Sequence, residues 1–160
     1  MTSCDTDLIT ARRVTITGTR ETSHRSVEWF DGLFAGYLAP FATGGTHFYV
    51  GGALGIDSLA LLWLAGNTGS SLTVVVPGTA REQPADAREA ISRVRDRVSS
   101  VVELGASPLR TAAFHARNRW MVDRSDLTIG FPLAGRTSSG TWQTLDYTAE
   151  RGLPRLIVPV

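Results

Sequence analysis

At 160 residues the chain has the size of one domain, with enough material for a three-layer core. Its formal charge of +1 excludes a global field that attracts nucleic acid and leaves only local basic patches. A single cysteine, Cys4, excludes a disulfide framework and a cysteine-rich metal site and fits a reducing compartment. The longest nearly apolar stretch, 58–65, is too short to span a bilayer, and the N-terminus lacks the apolar core of a secretory signal. The expectation is a cytoplasmic protein with no membrane contact.

Residues 1–11 read as a flexible leader and 12–160 as a single domain. Val14-Thr15-Ile16-Thr17 is a β-branched run stopped by Gly18, which predicts a first strand. After Ser26, the apolar residues Val27, Phe30, Phe34, Tyr37 and Leu38 recur at helical spacing. A Gly-rich turn over 42–46 leads to a second strand, Phe48-Tyr49-Val50, closed by Gly51-Gly52. Residues 56–65 form a helix that is apolar on nearly every side, the pattern of an element sandwiched in a core.

A third strand over 72–76 stops at Pro77-Gly78. The next helix, 86–99, places Ala87, Ala90, Ile91, Val94 and Val98 on one face and a solvated set of arginines elsewhere. A fourth strand covers 101–104. A helix over 108–123 enters the strand Leu127–Phe131, and a last helix over 141–151 leads to a strand over 155–159. Strands alternate with helices across short connections. That pattern predicts a doubly wound, three-layer α/β/α sandwich with a mainly parallel sheet of about six strands. The default ligand site of such a sheet is the crevice where strand order switches.

Three loops at strand ends carry the chemistry. In the first, Gly18 lets the backbone approach a ligand, Thr19 follows, and Arg20 offers a forked guanidinium to phosphate. An ordinary turn with a solvated arginine fits the same residues. The second is Gly51-Gly52-Ala53-Leu54-Gly55-Ile56-Asp57, a glycine cradle at a helix start. Its spacing is neither the dinucleotide fingerprint nor a P-loop. Asp57 suits a helix cap, or an acceptor for a ribose or for the loop's own amides. The third combines Arg117-Asn118-Arg119 with Ser138, Ser139, Gly140 and Thr141, where amides and hydroxyls precede a helix. Plain N-capping by Ser139 or Thr141, and pairing of Arg117 or Arg119 with Asp123, are the structural readings of that element.

All 16 basic residues are arginine, which codon bias explains away from the loops. His24, His47 and His115 are scattered without ligand spacing, so no metal and no cofactor are expected. Trp29, Trp63, Trp120 and Trp142 sit at helical positions that suit a core or an interface. Trp142, just past the third loop, is the one placed to line a base.

The stretch 14–20, the segment Gly51 to Asp57 with its closing Gly-Ile-Asp, Arg117-Asn118-Arg119, and Ser139-Gly140-Thr141 occur in a familiar order. Together they resemble the SMF/DprA–LOG (SLOG) Rossmann-like superfamily, nearest in motif to the DNA-processing protein A (DprA) Rossmann domain, over about 12–160. The resemblance implies a Rossmann-like domain that binds a nucleotide, a nucleotide-derived signal or, in the DprA branch, single-stranded DNA. It also implies a homodimer. The implied ligand-facing set is Gly18, Thr19, Arg20, Gly51, Gly52, Arg117, Asn118, Ser139, Gly140 and Thr141.

The phosphoribohydrolase branch carries Pro-Gly-Gly-x-Gly-Thr-x-x-Glu. Here Trp142, Gln143 and Thr144 follow Gly140-Thr141, so that glutamate is absent, with Asp57 and Asp123 as substitutes. DprA proteins are typically longer, and near-neutral charge disfavours an autonomous DNA clamp. The sequence therefore ranks non-catalytic nucleotide binding first. A phosphoribohydrolase with a non-standard acid and DprA-like DNA binding stand as alternatives.

Overall fold

A computed structural model describes residues 11–160; Cys4 and the rest of the expected leader lie outside the described residues. Ala11, also assigned to the leader, packs against the hydrophobic core. Strands β1 (Arg13–Gly18), β2 (His47–Gly51), β3 (Ser71–Val76), β4 (Ser100–Glu103), β5 (Leu127–Phe131) and β6 (Arg155–Ile157) form one sheet. Its order is β4-β3-β2-β1-β5-β6 and every pairing is parallel. Helices α1 (Val27–Tyr37), α2 (Ile56–Asn67), α3 (Ala85–Arg93), α4 (Thr111–Val122) and α5 (Gly140–Glu150) connect the strands. Helix α2 packs against α1 and α3, and α4 packs against α5, which gives the two helical layers. This is the Rossmann-like sandwich expected from the alternation of elements.

Period-two alternation divides the sheet into two unlike faces. Val14 and Ile16, Phe48 and Val50, Leu72 and Val74, and Ile129 and Phe131 join one continuous core with Phe30, Phe34, Leu61 and Leu64 of α1 and α2. The other face is rich in hydroxyls, and buried hydroxyls require partners. Thr15 Oγ1 meets Ser125 Oγ at 2.7 Å, and Thr148 of α5 donates to Thr128 at 2.9 Å. No buried side-chain polar atom among the described residues lacks a partner.

The helix expected over 108–123 begins at Thr111 and the strand expected over 155–159 ends at Ile157; two further elements differ in ways that bear on packing. The helix expected over 86–99 ends at Arg93 and tightens into a 3-10 turn, Arg95–Arg97. Arg97, expected on a solvated face, instead donates to the carbonyls of Ala65 (3.3 Å), Thr68 (2.9 Å) and Ser70 (3.2 Å). It thereby caps orphan carbonyls around the end of α2. In α1, burial falls on Phe30, Phe34 and Leu38, whereas Val27 (55% exposed) and Tyr37 (43%) face outward. A helix on the outside of a layer buries one narrow row, so its periodic apolar residues need not all be covered. No helix among the described residues is long and apolar enough to cross a membrane.

Phe34 is fully buried and meets Phe131 edge-on, with ring centroids 5.5 Å apart, at the strand end beneath the loops. Phe34→Ala should cost about 3–5 kcal/mol of stability in urea unfolding. A loss below about 1 kcal/mol would mean that α1 contributes little to the core.

Candidate functional site

Sequence order reverses on either side of β1, and an open cleft of about 430 Å³ lies at the C-terminal edge beside β1 and β5. Its floor is Thr17 and Gly18. Thr19, Arg20 and Glu21 form one lip, Arg136 to Thr141 contributes the other, and α4 supplies a wall. The lip after β1 is held from two sides. The Thr19 N–H donates to the Phe131 carbonyl, and the Thr19 carbonyl accepts from the Ile56 N–H, both at 3.0 Å. Gly55 makes the second contact feasible. Its φ is 75°, and a side chain there would strike the Thr19 carbonyl and the Arg20 backbone.

Of the residues expected at the site, ten line the cleft: Gly18, Thr19, Arg20, Ala53, Asp57, Arg117, Asn118, Ser139, Gly140 and Thr141. Gly51, Gly52, Gly55 and Ser138 do not line it. The two consecutive glycines are spacers. A Cβ on Gly51 would collide with the Arg117 guanidinium and the Asp57 carboxylate, and one on Gly52 with Val76. Only glycine lets these charges close over the end of β2.

Asp57 and Arg117 are 6% and 4% exposed. Asp57 lies in the first turn of α2 but does not cap it, because the N-cap is Gly55. Burial raises its carboxyl to about 6, opposed by Arg117, by the Ala53 N–H and by Arg20. The same burial lowers Arg117 from its ordinary value, with Asp57 acting in the opposite direction. Arg117 is further engaged by the Asn118 side-chain oxygen at 2.7 Å and the Val75 carbonyl at 3.2 Å. Its fork is therefore largely occupied by the protein itself. Arg20, in contrast, is exposed and lies over the Phe114 ring at 5.1 Å, a cation–π contact.

At the far lip the Ser139 hydroxyl caps α5 by accepting from the Trp142 N–H at 3.3 Å, the structural reading of that residue. Trp142 does not line the cleft; its indole N–H donates to the Arg136 carbonyl at 2.8 Å and secures the loop. Leu54 faces a neighbouring apolar pocket of about 170 Å³ with Pro84, Leu109 and Phe114. Asp123 also lies off the cleft. It pairs with Arg151 (3.3 Å) and accepts from Tyr147 (2.7 Å), not with Arg117 or Arg119, because α5 brings those partners across the helix pair.

Sequence reasoning passed over Thr111, Phe114 and His115 as lining residues. Their signal was present, since 111, 114, 115 and 118 recur on one helical face. Glu21 and Arg136, 115 positions apart and joined at 2.9 Å, left none. No group of three or more His, Cys, Asp or Glu among the described residues could hold a metal ion.

Fold and cleft together define a Rossmann-like domain with its candidate ligand site at the strand-order switch. The chain belongs to the DNA recombination-mediator protein A family, whose family model matches residues 2–160. It is similar to DNA processing protein A (DprA) from Streptococcus pneumoniae at 21% identity and a TM-score of 0.67, covering 92% of this chain and 50% of that one. It is likewise similar to DNA processing protein A from Helicobacter pylori at 22% identity and a TM-score of 0.68, covering 98% of this chain and 69% of that one. The Helicobacter pylori structure was described for its single-stranded DNA binding mode. These likenesses establish the shared fold. No curated protein matches the chain.

The raised Asp57 carboxyl has a consequence for stability. Its folded value of about 6 exceeds the unfolded one, so its contribution is complete below about pH 4 and is lost as pH rises through about 6. The stability of the wild type relative to Asp57→Asn should therefore fall by roughly 1–3 kcal/mol between about pH 4 and about pH 7. Urea unfolding of both proteins across that range measures it. A difference independent of pH would mean that Asp57 titrates like an exposed carboxylate.

Proposed function

We propose that this chain binds single-stranded DNA, with the sugar-phosphate backbone crossing the cleft beside β1 and β5. The observation that carries this reading is Arg20. Of the arginines lining the cleft, Arg117 is buried against protein acceptors and Arg136 is paired with Glu21, while Arg20 has no carboxylate partner among the described residues. A guanidinium presented on an aromatic ring at the mouth of a polar cleft suits a phosphodiester, which it holds by a charge-assisted fork. Membership of a DNA recombination-mediator family and likeness to a DprA protein described with single-stranded DNA support DNA over a free nucleotide. This reverses the ranking drawn from sequence.

The cleft volume of about 430 Å³ suits one nucleotide unit at a time. A chain of formal charge +1 neutralises few phosphates by itself, so a second copy would extend the path; this is the role we assign to the expected homodimer.

Fluorescence anisotropy with a labelled oligothymidylate tests the reading. The wild type should bind more weakly as salt rises. Arg20→Gln should weaken binding at least about tenfold and reduce the salt slope by about 0.7. Failure to bind the oligonucleotide, or its displacement by equimolar thymidine monophosphate, would return the cleft to a free nucleotide. Binding indifferent to Arg20→Gln would move the DNA elsewhere on the surface.

A further inference from the structure

We propose that Glu21 and Arg136 form an exchangeable latch across the mouth of the cleft, in which Arg136 leaves the Glu21 carboxylate to hold a backbone phosphate. The inference rests on the DNA-binding reading above and adds a contact and an affinity-setting residue to it. The two side chains come from opposite lips, one after β1 and one after β5, and both line the cleft. Their contact is a single hydrogen bond, Arg136 Nη2 to Glu21 Oε1 at 2.9 Å, between side chains 56% and 55% exposed. Exposed ion pairs of this kind are weak and screened by salt. A phosphodiester offers two oxygens to the same guanidinium in forked geometry, which is the stronger arrangement.

The backbones on both sides are fixed, so exchange requires only side-chain rotation. The Glu21 N–H donates to Thr19 Oγ1 at 3.1 Å. The Arg136 N–H donates to the Leu133 carbonyl at 3.1 Å, and the Arg136 carbonyl accepts from the Trp142 indole. The charge balance of the cleft supports the same assignment. Asp57 and Arg117 offset each other over Gly51, which leaves Glu21, paired with Arg136, as the remaining carboxylate lining the cleft among the described residues. Glu21 holds the guanidinium that a phosphate at the cleft mouth needs. It therefore sets affinity by competition.

The test uses the full chain as wild type, Glu21→Gln, Arg136→Gln and the double variant, with a labelled oligothymidylate in anisotropy at two salt concentrations. Glu21→Gln should tighten binding about two- to fivefold. Arg136→Gln should weaken it and lower the salt slope by about 0.7. In the Arg136→Gln background, Glu21→Gln should have no effect, because its influence runs through the freed arginine. Equal tightening in both backgrounds would reduce Glu21 to a general repulsive charge and overturn the latch. Arg136→Gln matching wild type would overturn it as well. A wild type that binds and responds to Arg20→Gln but ignores both latch positions sinks this inference alone. A wild type that does not bind DNA removes the reading beneath it and the latch together.

Discussion

The buried Arg117 guanidinium, reaching from α4 toward Asp57 of α2 across Gly51, is the contact on which the cleft depends. It brings the two helical layers together around the C-terminal edge of the sheet. Both groups are nearly without solvent, so each depends on the other, and Arg117 also on the Asn118 and Val75 oxygens. An apolar pair would fill the space with less desolvation but would leave α4 free to slide. The forked, directional contacts of arginine fix where the helix stands, and with it the cleft wall formed by Phe114, His115 and Asn118.

The sheet serves its two faces by different means. Toward α1, α2 and α3 it is a continuous apolar surface, and burial there supplies most of the driving force for folding. Toward α4 and α5 it presents Thr15, Thr73 and Thr128, whose hydroxyls find partners in Ser125, His47, Ser100 and Thr148. Such networks contribute modest net stability but strongly oppose misplacement, because an unpaired buried hydroxyl is costly. The layer that walls the cleft is therefore held by register more than by apolar area. Of their apolar side chains, α4 buries Met121 and Val122 and α5 buries Leu145.

Each anionic group at the site has a defined position relative to the basic ones. Asp57 sits with Arg117 over Gly51, Glu21 stands at the mouth, and Asp123 is drawn away by Arg151 and Tyr147. The result is a polar cleft with one guanidinium, unpaired among the described residues, over an aromatic ring and an adjoining apolar niche. On the proposed reading, that combination would serve a polymer with a charged backbone and stacking bases.

The alternation of β-branched runs with helices, the glycine stops after the first three strands and the motif order were enough to read the parallel sandwich and to bring ten cleft residues together from sequence. Those features are local: a period, a breaker, a cap. The roles within the loops were not legible, because they depend on what lies across the gap. Gly51 and Gly52 read as an anion cradle, yet the space over them is filled by Arg117, Asp57 and Val76, which come from other elements. Arg97 read as solvated until the end of α2 supplied three carbonyls to it. Glu21 and Arg136 meet only because β1 and β5, distant in sequence, are neighbours in the sheet. Sequence by itself determined which strands and helices form and where the chain must turn, since periodicity and backbone permissiveness act over a few residues. Tertiary structure alone decided which charges are buried, paired or free, because desolvation and Coulomb energy depend on distances that no spacing along the chain encodes.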